Sequence, residues 1–193
     1  MSLIRLDMTV SLDGFVAGPK DGADEPMGVG GFRLFNWLDR RHDPDDNGRV
    51  FNEVMATRAV ISGRRTYENA GRWNGDHHDG VPIFVLTHDV PDDPPPGSVR
   101  YVSDVRECAE AARAAAGDGD VAAMGAGAAQ ALLGAGELDE LELHVVPVLL
   151  GRGRRLFENL PAERFELDLV RCLTPDAANR EQQVTHLRYR VVR

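Results

Sequence analysis

The chain has 193 residues, 42% of them apolar and 27% charged, which is enough for one soluble domain over residues 1–193 with a sizeable core. Its formal net charge of −9 argues against nucleic-acid binding, and its two cysteines, Cys108 and Cys172, exclude a disulfide scaffold and a thiolate zinc site. No uncharged apolar segment approaches the roughly 20 residues of a membrane span, and the N-terminus has no signal-peptide features, so we expect a cytoplasmic protein without a membrane partner.

The first part of the chain predicts a strand, a long loop and two helices. Apolar and polar residues alternate over residues 4–12, which is typical of a strand with one buried face. Residues 18–31 are rich in Gly and Asp and indicate a loop. Helices are expected at 32–41 and at 48–57, the second with Asn47 as its N-cap.

The middle of the chain alternates short apolar runs with helical patterns. Residues 59–61, 83–86 and 121–124 are continuously apolar, as in strands that are buried on both faces of a parallel sheet. Helices are expected at 104–116 and 128–135, and a proline-rich loop at 87–98.

The last third predicts further strands. Alternating patterns at 138–149, 165–169 and 185–191 indicate antiparallel strands added to the edge of the parallel sheet. The sum is an α/β domain with a mixed, mostly parallel central sheet and helices on both faces. Exposed strand edges favour burial against a second copy, so we expect a homodimer.

Small and basic residues follow each of the three buried strands, at the sheet edge where ligands bind in open α/β folds. These residues are Gly63-Arg64-Arg65-Thr66, then Thr87, then Gly125-Ala126-Gly127-Ala128. Paired arginines suit an adenosine 2′-phosphate, and a helix start suits a pyrophosphate. Alternatively, the arginines begin a solvated helix, and the glycine pair, which lacks the third glycine of a dinucleotide fingerprint, forms a simple turn.

Several other side chains have two interpretations each. Asp13 is either an active-site carboxylate or a turn-capping residue before Gly14, and Trp37 either stacks on a planar substrate or fills the core. Asp39 is interpreted as a solvated helix residue and His144 as a lining or structural one. His77-His78 is interpreted as a solvated loop, so no metal site is expected. Arg152, Arg154 and Arg155 form either a charged surface loop or the rim of an anionic substrate's site.

Three motifs resemble one superfamily, in its order along almost the whole chain. Ser11-Leu12-Asp13-Gly14-Phe15-Val16-Ala17-Gly18 resembles the opening of dihydrofolate-reductase-like proteins, and Gly63-Arg64-Arg65-Thr66 resembles their cofactor motif. The third runs from Asp139 to Phe157, with Pro147-x-Leu149-Leu150-Gly151-x-Gly153 at its centre. It is similar to the signature of the riboflavin-biosynthesis reductase domain and its single-domain relatives.

The resemblance implies a three-layer αβα fold of the dihydrofolate-reductase-like type, NADPH as cofactor, and hydride transfer to a small heterocycle. It places Gly63, Arg64, Arg65 and Thr66 on the adenosine phosphates, Thr87 beside the adenosine, Gly125 to Ala128 at the pyrophosphate, and Ala17 and Gly18 at the nicotinamide. Asp13 would act in catalysis and, with Trp37, at the substrate; residues 19–31 would be a lid. Where the family carries Gly-Gly this chain has Gly125-Ala126, which predicts crowding of the pyrophosphate.

The narrowest functional hypothesis is a reductase resembling the 5-amino-6-(5-phosphoribosylamino)uracil reductase of riboflavin biosynthesis. The alternatives are a dihydrofolate or pterin reductase and a non-catalytic nucleotide-binding protein of the same fold. The His-x-Glu and Pro-Cys-x-x-Cys patterns of the zinc deaminase that accompanies many such reductases do not occur in this sequence.

Overall fold

A computed structural model describes residues 2–91, 99–161 and 164–192, so that most of the predicted loop 87–98 lies outside the described residues. The strands are β1 (Ile4–Ser11), β2 (Phe15–Ala17), β3 (Ala59–Gly63), β4 (Ile83–Leu86), β5 (Val99–Val102), β6 (Val121–Met124), β7 (Glu140–Val146), β8 (Arg154–Arg155), β9 (Leu167–Leu173) and β10 (Thr185–Val191). The α-helices are α1 (Asp46–Met55), α2 (Arg64–Asn69), α3 (Val105–Ala116) and α4 (Ala126–Gly134). Short 3-10 helices cover Gly31–Arg40, Gly71–Gly75 and Arg180–Gln182.

Eight strands form one mixed sheet in the order β5-β4-β3-β6-β1-β7-β10-β9, and β2 pairs with β8 beside it. β10 is antiparallel to β7 and β9, which confirms the predicted antiparallel addition there. The predicted direction of residues 138–149 is wrong, because β7 pairs with β1 in parallel, with Leu6 opposite Leu141. The chain crosses the sheet through α4 after β6 and therefore re-enters it in the same direction.

The face of the sheet under α3 and α4 is almost entirely apolar. Ile4 and Leu6 from β1 pack there with Cys108 and Ala112 of α3 and with Leu132 of α4, and all five are fully buried. Alanines along both helices let their backbones approach the strands closely. This layer is the main hydrophobic core, and with α1 and α2 on the other face it completes the αβα architecture.

The opposite face carries charges under α1. Glu142 of β7 is 1% exposed and accepts hydrogen bonds from Arg171 of β9, at 3.1 Å, and from Arg188 of β10. Glu53 of α1 accepts from the same two arginines, with Arg171 at 2.8 and 2.7 Å. Burial alone would raise the pKa of Glu53, but the two guanidinium groups outweigh it and lower that pKa to about 2. These ion pairs fasten α1 to the β7, β10 and β9 end of the sheet.

Two of the predicted helices differ from expectation at their starts. Residues 31–40 form a 3-10 helix that follows Gly30 at a φ of 77° and has no side-chain cap. α1 begins at Asp46 rather than 48, and its N-cap is Asp45, whose carboxylate accepts from the amides of Asn47 and Gly48. The Asn47 side chain is therefore available for the core, where it contacts β10.

Asn47, His186 and His144 form a buried hydrogen-bonded row between α1, β10 and β7. Asn47 Nδ2 donates to Asp45 at 3.3 Å, which turns its Oδ1 toward His186 Nε2 at 3.1 Å. The Nδ1 atoms of His186 and His144 are 2.7 Å apart, so one donates and the other accepts. Burial, together with the adjacent His144 and Arg171, lowers the pKa of His186 to about 3. His186 is therefore neutral in the folded protein at physiological pH.

We expect the burial of neutral His186 to lower the stability of the folded protein in mild acid. His186 stays neutral when folded down to about pH 3, whereas the ordinary pKa of histidine is 6.5, so the unfolded chain binds an extra proton below pH 6.5. The free energy of unfolding should fall as the pH decreases below 6.5, by on the order of 1 kcal/mol per pH unit for this group. Urea titrations at pH 7.5, 6 and 5 measure the slope.

The matched variants are His186→Asn and His88→Asn, since His88 is exposed. In His186→Asn the free energy of unfolding should depend less steeply on pH, by the amount that corresponds to about one proton. In His88→Asn this dependence should be unchanged. Identical slopes in the two variants would contradict the assignment.

Candidate functional site

The carboxyl ends of three parallel strands meet at one edge of the sheet, as predicted. Ser62 of β3 lies opposite Met124 of β6, and Gly63 lies opposite Leu86 of β4. The residues that follow β6 and β4, which include Gly125 and Thr87, therefore lie on either side of the residues that follow β3. The structure brings together the predicted cofactor-binding segments that follow β3, β4 and β6.

Gly125 makes the closest approach at this edge. It has a φ of 94°, and a Cβ built there would lie 2.3 Å from Thr66 Oγ1 and 3.6 Å from the amide nitrogen of Gly63. On the other side, a Cβ on Gly63 would lie 3.4 Å from the amide nitrogen of Ala128. The starts of α2 and α4 are in direct contact, and a side chain at Gly125 would separate them.

The first turn of α4 presents backbone amides to the edge. Its first internal hydrogen bond runs from Ala129 N to Gly125 O at 2.9 Å, so the amides of residues 126–128 precede the helical ladder. Gly127 is exposed with open space where a Cβ would be. Ala126 and Ala128 are buried, and their methyl groups belong to the hydrophobic core. The crowding expected from Ala126 stays a prediction, and its burial in the core argues against it.

Two arginines begin α2 and already have acidic partners. Arg64 Nε donates to Glu68 at 2.9 Å, Arg64 Nη1 donates to Asp89, and these hydrogen bonds raise the pKa of Arg64. Arg65 is 58% exposed in its side chain and lies 3.6 Å from the carboxylate of Asp21. A phosphate bound at this edge would replace these carboxylates as the hydrogen-bond acceptor of the two arginines.

Thr87 follows β4 and shapes the neighbouring turn. Its amide donates to Val102 O at 3.0 Å, and its Oγ1 accepts from the amide of Asp89 at 3.2 Å. The turn therefore directs Asp89 toward Arg64 at the adenosine side of the predicted site.

The Asp13 carboxylate is fully engaged with its surroundings. It accepts from Ser11 Oγ at 2.6 Å, from Leu150 N at 3.1 Å and from Gly151 N at 2.7 Å. The hydrogen bond from Ser11, against a smaller desolvation effect and with help from the two amides, lowers the pKa of Asp13. An ionised carboxylate held by three donors anchors the turn after β7 to the end of β1.

Ala17 and Gly18 are enclosed by the loop predicted as a lid. The Gly18 amide donates to Met27 O at 2.8 Å, and a Cβ on Gly18 would lie 2.0 Å from Val29 O. From the other side Gly153, at a φ of 141°, packs so tightly that a Cβ would lie 2.0 Å from Ala17 O. In this structure the loop is therefore folded down on Gly18.

An ion-paired carboxylate joins this loop to the rest of the edge. Asp21 accepts two hydrogen bonds of 3.0 Å from Arg154 of β8, and Arg65 approaches from α2. Burial alone would raise the pKa of Asp21, but the hydrogen bonds and charge of Arg154 lower it. The sequence did not predict a role for Asp21, since an acidic residue in a Gly-rich loop gives no indication of which partner it meets. It also left the role of Arg154 open.

Trp37 lies in the core. It is 3% exposed, its Nε1 donates to Thr9 Oγ1 at 3.2 Å, and its ring centroid is 4.6 Å from that of His144. The prediction that Trp37 stacks on a substrate is corrected, because its ring is covered by β1, β7 and β10. The structural role expected for His144 agrees with its burial at 2% exposure.

The histidine pair predicted to be solvated is partly buried. His78 is 5% exposed, its Nε2 lies 3.0 Å from Thr57 O, and its Nδ1 lies 2.6 Å from His77 Nδ1. The pair closes the loop against the end of α1, which corrects the solvated interpretation. Within residues 2–91, 99–161 and 164–192 no three metal-ligating side chains cluster together.

Comparisons with solved structures identify the fold. A proposed riboflavin biosynthesis protein from Shewanella sp. PV-4 matches with a TM-score of 0.72 and 22% identity over 100% of both chains. Dihydrofolate reductase from Enterococcus faecalis, complexed with NADP(H) and RAB-propyl, matches at 0.60 and 14% over 98% of this chain and 96% of its own. The chain has the dihydrofolate-reductase-like fold.

A pyrimidine reductase-like protein from Corynebacterium diphtheriae also has this fold, with a TM-score of 0.61 and 14% identity over 100% of this chain and 92% of its own. No protein-family model matches the sequence, and a search of curated proteins finds no match either. Among the described residues, no helix has the length and apolar character required to cross a bilayer.

We expect Gly125→Ala to destabilise the protein, because the new methyl group meets Thr66 and the φ of 94° strains any side chain. The free energy of unfolding should fall by about 1–3 kcal/mol. Gly127→Ala is the matched control, since it lies in open space in the first turn of α4, and should change stability by less than about 0.5 kcal/mol. Urea denaturation of both variants is the measurement, and equal losses would contradict the packing described.

Proposed function

We propose that this protein is an NADPH-dependent reductase that transfers hydride to a small heterocyclic substrate. The observation that carries the proposal is the convergence of Arg64, Arg65 and Thr66 with the first turn of α4 at one sheet edge. Guanidinium groups and helix-start amides are the donors that bind phosphate oxygens. The fold that this chain shares with an NADP(H)-bound dihydrofolate reductase supports the same assignment.

The residues present fit such a cofactor. Gly127 leaves the backbone open where a pyrophosphate would approach, Gly125 lets the start of α4 pack against Thr66, and Arg65 is exposed. Arg64 and Arg65 would bind the adenosine 2′-phosphate and pyrophosphate, and Thr66 and the amides of residues 126–128 would complete the hydrogen bonds. Thr87 would flank the adenosine. The bound nicotinamide would supply the hydride.

The nicotinamide end of the site would be formed by the end of β2. Ala17 and Gly18 would border the ring, and the loop of residues 19–31 would exclude water from the reacting atoms. Asp13 is engaged by three donors and has a lowered pKa, so we assign it a positioning role rather than the direct catalytic role expected from the sequence. It would hold the turn at Leu150 and Gly151 against the end of β1.

The substrate class is the least specific part of the proposal. Structures named for riboflavin biosynthesis and for a pyrimidine reductase share the fold over the whole chain. A pyrimidine resembling the phosphoribosylamino-uracil intermediate is therefore the first compound to test, and dihydrofolate is the second. Absence of turnover with cofactor binding intact would favour the non-catalytic nucleotide-binding alternative.

We expect purified protein to bind NADPH more tightly than NADH, and Arg64→Ala and Arg65→Ala each to weaken NADPH binding about 10- to 100-fold. This follows from the loss of about 1.5–3 kcal/mol per charge-assisted hydrogen bond. Titration calorimetry is the measurement.

Arg190→Ala is the control for the loss of a positive charge. Arg190 is 63% exposed and pairs with Glu140 at the opposite end of the strands. Its NADPH affinity should equal that of the wild type. No binding of either nucleotide by the wild type would overturn the reductase proposal.

We also propose that the protein is a homodimer that covers β9. Within the part of the chain that the structure describes, this strand pairs only with β10 and is the edge strand of the main sheet, and its Leu167, Leu169 and Val170 are 41, 59 and 44% exposed. Unpaired backbone groups beside exposed apolar side chains favour pairing with a second strand.

We expect light scattering to give a mass twice the 21.1 kDa of one chain. Leu169→Lys should reduce the measured mass to that of one chain, because it places a charge in the buried interface. Val90→Lys, at a 44% exposed position beside β4 near the other edge of the sheet, should leave the mass unchanged. A wild-type mass of one chain would rule out the dimer.

A further inference from the structure

Asp21 is held by two arginines that belong to different parts of the fold. Arg154 Nε and Nη2 each donate to one of its carboxylate oxygens at 3.0 Å, and Arg65 Nη1 lies 3.6 Å from the nearer oxygen. The Asp21 side chain is 11% exposed, although it lies in a surface loop. Arg65 also approaches the Asp21 carbonyl oxygen at 3.4 Å. A carboxylate in this position satisfies both guanidinium groups.

The two arginines stand on either side of the predicted cofactor edge. Arg65 begins α2 directly after β3, and Arg154 belongs to β8, which pairs with the β2 strand that ends at Ala17. The backbones that carry them are fixed without Asp21, since α2 is packed on Gly125 and β8 is packed on Ala17 through Gly153. An anion between the two guanidinium groups would therefore meet positive charge on both sides.

The loop that supplies Asp21 is attached by few bonds. Apart from the hydrogen bonds of Asp21 with Arg65 and Arg154, the described residues bond the loop to the body through Gly18 with Met27 and Asn69 with Pro26 O, whereas bonds such as that of Val29 with Pro19 are internal. Asp21 provides the loop's ion pairs to α2 and β8, so release of its carboxylate would free the first part of the loop.

We propose that Arg65 and Arg154 form a phosphate-binding seat that Asp21 fills in the ligand-free protein, so that phosphate entry and release of the loop are one exchange. The carboxylate stands in for phosphate oxygens, since both accept two hydrogen bonds from a guanidinium group. The proposal rests on the proposed function for the identity of the ligand, a phosphate group of the cofactor or of a phosphorylated substrate. It extends that function by making Asp21 an internal competitor for the site.

The test uses inorganic phosphate as the probe and Asp21→Asn as the main variant. Removing the competing charge should tighten phosphate binding roughly tenfold or more by titration calorimetry. Hydrogen exchange of amides 20–24 should become faster, because the loop loses its ion pairs to α2 and β8. Asp24→Asn makes the same charge change at an exposed position of the same loop and should alter neither quantity.

Arg154→Ala distinguishes a phosphate seat from a merely structural contact. It should also speed exchange in the loop, but it should weaken phosphate binding, because the seat loses one side. Opposite effects of Asp21→Asn and Arg154→Ala on phosphate affinity, with the same effect on exchange, would support the proposal. Equal phosphate affinity in the wild type, Asp21→Asn and Asp24→Asn would overturn it, whether or not NADPH binds.

Competition identifies the source of the phosphate group. If the cofactor occupies the seat, saturating NADPH should abolish phosphate binding to Asp21→Asn, and this variant should bind NADPH more tightly than the wild type. If a phosphorylated substrate occupies it, phosphate should still bind the NADPH-saturated variant through Arg154, although more weakly, because NADPH shares Arg65. Failure of NADPH to bind at all counts against the proposed function and leaves the phosphate comparison intact.

Discussion

The parallel pairing of β6 with both β1 and β3 is the constraint on which the candidate site depends. It places the end of β6 between the ends of the other two strands, so that Gly125 lies against Thr66 at the start of α2. A glycine is required there because the φ is positive and a Cβ would collide with Thr66. The starts of α2 and α4 therefore form one continuous surface of arginine side chains and backbone amides. A shift of β6 by one residue against β1 or β3 would turn its side chains to the other face of the sheet and disrupt this surface.

The two faces of the sheet are stabilised by different interactions. Under α3 and α4, alanine and leucine pack as an apolar layer, whereas under α1 a small apolar cluster around Val50 is joined by the ion pairs of Glu53, Glu142, Arg171 and Arg188. Buried ion pairs contribute little net stability because desolvation offsets their attraction, but removal of one partner leaves an uncompensated charge. The charged face therefore specifies how α1 and β9 dock, and the apolar face supplies most of the stabilisation.

Arginines near the cofactor edge have carboxylate partners within the protein. Arg64 is paired with Glu68 and Asp89, and Arg65 and Arg154 share Asp21. In a chain with a formal net charge of −9 these internal pairs offset the local positive potential. Under the proposed function, ligand binding at this edge would exchange one set of hydrogen-bond acceptors for another. Selectivity depends on whether a phosphate satisfies the guanidinium groups better than the carboxylates do.

The sequence alone determined the order and type of most elements, because continuous apolar runs and period-two alternation report burial directly. It also predicted that the segments after β3, β4 and β6 lie together, since the carboxyl ends of parallel strands share one edge. Only the tertiary structure decided the direction of β7, the burial of Trp37 against His144, and the engagement of Asp13 by Leu150 and Gly151. It alone joined Asp21 to Arg154, which are 133 residues apart. These features depend on contacts between distant segments, and neither hydrophobic period nor turn chemistry encodes which distant segment a polar side chain will meet.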